Sequence, residues 1–365
     1  MPSKPFRTAL VIVAATVAVL LAVGLWFYAQ WRAYPGQRHH GKGDDIAFTV
    51  APRMPLARVA KLLAARGVIS HPTWFRLYAM RRGATSAIKP GDYLLADNLK
   101  PKDVLDALIK GPEEKQVSVT LPEGKQMLEY FALLDAAGVA KASELEALAR
   151  DPQFIGAHGL SGDSVDGYLF PDTYKFVAPT PPKKVLERLI NAQRVAWNQV
   201  KRDHARDLAK LEDRMKWSDR DVLILASIVE KEAVDPAERP RIAQVFVNRL
   251  TVPGFSPRRL ETDPTIRYGC EVPVVKSAAC RAWNTSDRLH RAQLDDDDNP
   301  YNTYRHEGLP PGPICNPGRS SMAAAMDPDG SDYLYFVARD ARNHAFARTA
   351  AEHERNVQRY MQLNP

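Results

Sequence analysis

Cysteine is scarce in this chain, with three among 365 residues. No two of them stand at metal-site spacing, which removes zinc-built folds from consideration. Basic residues outnumber acidic ones, 50 against 43, for a formal charge of +7, but the excess is spread along the chain. It forms no basic block with interleaved aromatics, no zinc-finger spacing and no RNP-like stretch, so nucleic acid is not an expected partner. The run Asp295 to Asp298 lacks the alternating ligands, glycine and closing glutamate of a calcium loop and reads as a solvated loop. No internal repeat is present, and beyond the N-terminus no second apolar run is long enough to cross a bilayer.

What is present is an ordinary globular composition, 45% hydrophobic and 25% charged, in a length suited to two or three compact units. The surplus positive charge favours an acidic or polyanionic partner such as a membrane surface or the cell wall. From Thr8 to Ala29, TALVIVAATVAVLLAVGLWFYA carries no charge. It is long enough to span a bilayer as a helix, and longer than a signal-peptide core. Trp26, Tyr28 and Trp31 gather at its far end, where an aromatic belt belongs. Lys4 and Arg7 precede it and favour a cytoplasmic N-terminus, although Arg32, Arg38 and Lys42 on the other flank make the bias slight.

The expected layout is a tail (1–7), a transmembrane anchor (8–29), a Gly-rich charged linker (30–45), a small α+β module (46–112), a connecting α/β segment (113–180) and a larger domain (181–365). In the module, IAFTV and PGDYLLA read as strands, and PLARVAKLLAARGVI and KPKDVLDALIKG as helices stopped by Gly67 and Gly111. QVSVTLPEG opens another strand, and DGYLFPDTYKF reads as a strand and turn packing one module on the next. The sequence leaves open whether Cys270 and Cys280 bridge, as an oxidising compartment allows, or whether all three thiols stay free.

The stretch ASIVEKEA ends an apolar helix with two glutamates, Glu230 and Glu232. Ser218 is a suitable N-cap with Asp221 three residues on, which predicts a helix from Asp219 to about Ala233. On that helix Glu232 shares a face with Leu225, Ile228 and Val229, whereas Glu230 shares one with Leu223, Ala226 and Ser227. The more apolar stripe predicts that burial keeps Glu232 protonated near neutral pH. A neutral carboxylic acid can protonate a leaving oxygen, as in glycosidic cleavage. Either glutamate also suits an ion pair with Lys231, Arg239 or Arg241, and periodicity does not choose between these roles.

Read together, ASIVEKEA, VFVNRL, LETDPTIRYG, YNTY, GLPPGPICNPG and YLYFVA, with DGYLFPDTY upstream, resemble in kind and order the endolytic murein transglycosylases of the MltG, or YceG-like, type. The resemblance covers essentially the whole chain. It implies an α+β chain with one membrane anchor, a LysM-like module over 46–112 and a C-terminal catalytic domain, set in the inner membrane and facing the periplasm. It implies that Glu232 is the catalytic acid for the β-1,4 bond between N-acetylmuramic acid and N-acetylglucosamine inside nascent glycan strands. The muramyl C6 hydroxyl then attacks its own C1, giving a 1,6-anhydromuramyl end without water. It implies no metal or organic cofactor; the partners are the glycan strands, the membrane and the wall-synthesis machinery.

Supporting roles follow from the same motifs. Asp263 and Thr265 are expected to hydrogen-bond substrate from a turn fixed by Pro264, and Tyr301, Asn302 and Tyr304 to stack on sugars and bond acetamido groups. Packed, internally satisfied hydroxyls are the alternative for this group. GLPPGPICNPG reads as a rigid loop beside the cleft. His344 and His353 are possible helpers, with a structural role as the alternative. Glu230 and Glu261 are possible second acids, and Glu261 stands where the family pattern has glutamine. Arg348 replaces a neutral amide, and the loop from Gly269 to Tyr301 is long. Two rival functions remain: a muramidase-type hydrolase drawing on Glu261 or Asp263, and a non-catalytic wall-binding scaffold.

Overall fold

The computed structural model describes residues 4–112, 116–284 and 286–363. The expected boundary at 113 and the first residues of the tail lie outside these. Helix content is 52%, with only small sheets, so the α+β expectation holds with helix dominant. Among the described residues the sheets are three two-stranded antiparallel ribbons. The chain divides into two compact units near residue 114.

The first unit begins with α1 (Lys4–Ala33). Among the described residues it is the one helix long and apolar enough to cross a membrane, with a span of mean hydropathy 2.4 that no protein buries. The order that follows is β1 (Asp45–Val50), α2 (Leu56–Ala65), α3 (Pro72–Arg81), β2 (Gly91–Ala96) and α4 (Pro101–Lys110). β1 and β2 pair with Phe48 opposite Tyr93, and the two rings stack at 5.5 Å. They close over Val59, Leu63, Phe75, Leu105 and Leu108, all fully buried. α3 carries a Trp, a Tyr and two Arg among its ten residues, and that mixture hides its helical period from the sequence. The expected linker is tied down at its end: the Gly43 amide donates to Asp97 Oδ1 at 2.7 Å.

The second unit contains β3 (Gln116–Thr120), α5 (Met127–Ala136), α6 (Ala142–Ala149), α7 (Pro152–Ala157), β4 (Thr173–Val177), α8 (Pro182–Asp203), α9 (Ala205–Met215), α10 (Asp219–Glu232), α11 (Arg239–Thr251), α12 (Asp263–Glu271), α13 (Ala278–Arg281), α14 (Arg291–Leu294), α15 (Arg319–Met326), β5 (Tyr335–Ala338), β6 (His344–Ala347) and α16 (Ala350–Leu363). The expected connecting segment is not separate. β3 pairs with β4, and one hydrophobic core runs from Val119 through α8, α10 and α11 to Met326. The physical reason is α10, in which every residue from Val222 to Val229 is buried. A helix apolar all round needs neighbours on every side, and residues 116–180 provide part of that cover.

Asn316, fully buried, fixes how the loops meet. Its Oδ1 accepts the amides of Gly167 and Leu169 at 2.9 and 3.0 Å, and its Nδ2 donates to Lys125 O at 3.0 Å and to Asp166 Oδ1 at 3.2 Å. Each otherwise orphaned polar group is thereby satisfied in the interior. Burial pushes the Asp166 carboxyl up to about 7 despite hydrogen bonds from Met127, Tyr268 and Asn316. The expected GLPPGPICNPG loop is thus a tie between three parts of the chain.

α10 starts as the sequence predicts, with Ser218 and Asp221 in a reciprocal capping box. Ser218→Ala removes that cap and is expected to cost about 1 kcal/mol. In urea unfolding followed by circular dichroism, the midpoint should fall with the slope unchanged.

Candidate active site

Glu232 is the last residue of α10, half-buried, and its carboxyl points into a group of side chains from distant parts of the chain. The Thr262 hydroxyl donates to Glu232 Oε1. Thr262 is the N-cap of α12, yet its side chain makes no capping bond. The hydroxyl that would normally close the helix is given to the acid instead. Burial pushes the Glu232 carboxyl up, and the nearby Asp263 carboxylate adds to this, while Thr262, His344 and Arg249 oppose it. Among the described residues no cation stands within ion-pair distance of Glu232, which leaves it suited to hold a proton.

Two threonines brace this arrangement. The Thr262 amide donates to Thr303 Oγ1 at 3.1 Å, and the Thr265 hydroxyl bonds Thr262 O at 2.7 Å and Thr303 Oγ1 at 2.9 Å. Arg249, 6% exposed, donates from Nε to Leu334 O at 2.8 Å and from Nη1 to Leu260 O, and lies 3.7 Å from Glu261 Oε2. Glu261 itself adopts φ 53°, a left-handed conformation costing a non-glycine residue about 1 kcal/mol or more. The bond from its amide to Thr303 O, 3.2 Å, and the Arg249 contacts hold it there.

The expected site residues separate into three groups. Asp263 and Tyr304 stay with Glu232, the Tyr304 hydroxyl donating to Asp263 Oδ1 at 2.8 Å. Pro264 marks the first turn of a helix here, not the tight turn that the sequence led us to expect; proline suits that position because its missing N–H has no partner there anyway. Thr265 and Asn302 are fully buried and point away from any solvent-facing surface. Asn302 Nδ2 donates to Gln293, Leu294 and Asp296 carbonyls at 3.1, 3.1 and 2.9 Å, and its Oδ1 accepts the Tyr304 amide at 3.0 Å. Their polar atoms are taken by protein, so they brace the site and do not present groups to a sugar. Tyr301 faces a different cavity, packed on Tyr268 with ring centroids 4.8 Å apart.

Glu230 is held elsewhere. Its Oε1 accepts from Arg239 Nη2 at 3.2 Å and its Oε2 from the Gly318 amide at 2.9 Å. Glu123 lies beside this pair, and burial together with the Glu230 carboxylate pushes its carboxyl up. A Cβ at Gly318 would fall 2.0 Å from Glu123 Oε1, so any larger residue there would displace the Glu123 carboxyl. Because α10 is buried on both faces, the apolar stripe does not separate the two glutamates. Their partners do: Glu230 has a guanidinium and a backbone amide, and Glu232 has one hydroxyl.

His344 and His353 also diverge. His344 Nδ1 bonds Glu238 Oε2 at 2.7 Å, and His344 acts electrostatically on Glu232. His353 stacks on Tyr335 at 5.2 Å, and burial with the Arg249 charge pulls its imidazole down. Arg348 is a surface residue paired with Asp332 at 2.6 Å. Sequence reasoning did not find Thr262, Thr303, Arg249 or Glu238. Arg249 had a signal, a charged residue closing the apolar run VFVNRL; Thr262 had another, a threonine directly before Asp-Pro. Cys270 and Cys280 are disulfide-bonded, and Cys315 is a buried free thiol.

The two glutamates should exchange phenotypes. Glu230→Ala strands a buried guanidinium and is expected to cost about 3 kcal/mol, read as a lower denaturant midpoint. Glu232→Gln should leave stability near the parent value at neutral pH. Equal destabilisation by both would contradict this division of roles.

Comparison with known proteins places the chain in context. The YceG-like family model matches residues 48–359. An endolytic murein transglycosylase of Bacillus subtilis (strain 168) is 31% identical over 322 residues, 84% of this chain and 82% of that protein. One of Streptococcus pneumoniae serotype 2 is 25% identical over 329 residues, which are 82% of this chain and 55% of the streptococcal protein; the chain thus spans about half that relative's length. The crystal structure of a yceG-like protein from Listeria monocytogenes matches with a TM-score of 0.54 at 27% identity, covering 86% of this chain and 99% of that one. With the family match spanning most of its length, this chain belongs to the YceG-like family.

Proposed function

We propose that this protein is a membrane-anchored endolytic peptidoglycan lytic transglycosylase with Glu232 as its acid and base. The observation that carries the proposal is the Glu232 carboxyl itself: desolvated, free of any ion pair among the described residues, and given a single hydroxyl by Thr262. Such a group holds its proton until a leaving oxygen takes it. The carboxyl meets α12 at the helix N-terminus, where the partial positive charge favours the carboxylate left after transfer.

In the proposed reaction Glu232 protonates the bridging oxygen between muramyl C1 and the next sugar, and that C–O bond breaks. The muramyl C6 oxygen bonds to C1 and gives its proton to Glu232, which restores the acid. No water enters. An internal nucleophile acts at high effective concentration, so a second carboxylate is unnecessary. The two carboxylates that a hydrolase would draw on are otherwise engaged, Asp263 by the Tyr304 hydroxyl and Glu261 by Arg249. Asp263 and Tyr304 would then position the sugar.

The other parts of the reading follow from the family resemblance. α1 would anchor the protein in the inner membrane with the catalytic unit in the periplasm, cutting nascent strands near the membrane and ending their elongation beside the synthesis machinery. The strand–helix–helix–strand order over residues 45–96 supports a LysM-like module that holds glycan.

Purified glycan strands incubated with the parent protein should yield 1,6-anhydromuramyl ends by mass spectrometry, and Glu232→Gln should yield none. Hydrated reducing ends would instead assign the muramidase reaction, with Asp263 or Glu261 as second carboxylate.

The rate should also report the proton. Glu232 acts protonated and its pKa is raised, so activity should persist above the usual carboxylate range and fall as pH rises through the raised value. Thr262 lowers that pKa; Thr262→Val should therefore move the alkaline limb of the pH–rate profile upward. Stability has the same sign. Native Glu232 binds its proton more tightly than unfolded Glu232, so its contribution is full below the unfolded pKa and is lost as pH rises through the folded one. Glu232→Gln should remove that loss, which parallel urea titrations across pH would measure.

A further inference from the structure

A cavity of about 970 Å³ lies in the second unit, and Glu232 is not among its walls. It is within the size range of pockets that bind small molecules. Tyr268 and Val272, at the C-terminal end of α12, line it, whereas Thr262, at the other end of that helix, holds Glu232. Nine residues of helix separate the two by about 13 Å. The segment Tyr301–Tyr304 makes a second link, since Tyr301 lines the cavity and Tyr304 reaches Asp263.

Four cations line the cavity, of which Arg150 is paired with Glu146 and the other three are held by carbonyls. Arg220 donates to the Ser161 carbonyl at 3.2 Å and the Pro311 carbonyl at 2.5 Å. Lys276 donates to Glu271 O at 3.1 Å, and Arg281 to Lys276 O at 2.5 Å. Carbonyls fix these side chains without cancelling their charge, and among the described residues none of the three has a carboxylate within ion-pair distance. Asp163 and Asp298 are exposed on the same lining, and Asp166 below it is already bonded to Met127, Tyr268 and Asn316.

The remaining surface is aromatic and aliphatic. Tyr268 and Tyr301 form a paired floor. Val274 and Val275, 75% and 87% exposed, stand in a loop closed by the Cys270–Cys280 disulfide. A Cβ at Gly312 would stand 3.0 Å from Tyr301 Oη and 3.3 Å from Arg220 Nη2, so backbone packs closely there.

This combination of fixed cations and aliphatic side chains fits a short peptide bearing carboxylates. In a glycan strand of the proposed kind, such peptides hang from the muramyl residues. We propose that the cavity receives the peptide stem of a muramyl residue beside the scissile bond, with its carboxylates on Arg220, Lys276 and Arg281 and its alkyl parts against Val274 and Val275. An extended stem of four residues covers about 13 Å, which matches the length of α12. The proposal rests on the transglycosylase reading of Glu232 and deepens it by naming what else the substrate must carry.

Two measurements on the full-length protein in detergent micelles test it. In the first, the Glu232→Gln protein is titrated calorimetrically with the free tripeptide alanyl-γ-glutamyl-diaminopimelate. Saturable binding is expected, weakened by added salt and reduced about tenfold or more by Lys276→Glu with Arg281→Glu. Val275→Asp, a fully solvated change that does not threaten folding, should weaken it in the same direction. Binding that is absent, or indifferent to all of these changes, overturns the proposal.

The second compares kcat/KM on stem-bearing strands and on strands stripped by an amidase. The parent should prefer stem-bearing strands by about tenfold, and Lys276→Glu with Arg281→Glu should bring that ratio toward one. Equal cutting of both substrates by the parent overturns the stem site and leaves Glu232 as acid. Tripeptide binding with no cutting of either substrate removes the transglycosylase reading and leaves the peptide site in place.

Discussion

The architecture depends on enclosing α10. Eight consecutive residues, Val222 to Val229, have no face left to water, and a helix of that kind is stable only when other elements surround it. α11, α12, α15 and the loop around Asn316 do so, with α8 packed behind α15. Where α10 emerges, its polar end meets these elements together. The Glu232 carboxyl is therefore placed by the packing of an apolar helix, at the point where that helix ends and α12 begins.

The same constraint decides how the two glutamates differ. Both arrive at a dry boundary, and each needs something to offset its desolvation. Glu230 receives a guanidinium and an amide and becomes part of the frame. Glu232 receives a hydroxyl from a helix cap that gives up its own capping bond. The consequence is a carboxyl whose proton is the easiest part of the site to move.

Much of this could be read from the residues, and the limits have physical causes. Ser218 and Asp221 announced α10 because capping is local chemistry. Gly67 and Gly111 marked helix ends, with φ of 76° and 100°, for the same reason. α3 went unread because its apolar and basic residues do not alternate with a clear period. Asp263-Pro264 looked like a turn because a helix start and a turn share those residues. The Thr262, Arg249 and His344–Glu238 contacts had no local signal strong enough to find them, since they join residues 11 to 106 positions apart. The apolar stripe does not by itself single out Glu232, because both stripes of α10 are buried. Thr265 and Asn302 carried residue types suited to binding, but burial gave them bracing work.

The long reach of these contacts has a consequence for the protein's manufacture. Asn316 closes onto Lys125 across 191 positions, and His344 onto Glu238 across 106. A chain made from its N-terminus contains Glu232 well before it contains the residues that surround it. Until the later residues that bury it have been synthesised and folded, Glu232 is an ordinary hydrated glutamate with no reason to retain its proton. The unfinished polypeptide thus carries Glu232 as a plain carboxylate, and its hold on a proton is a property only of the finished, folded chain.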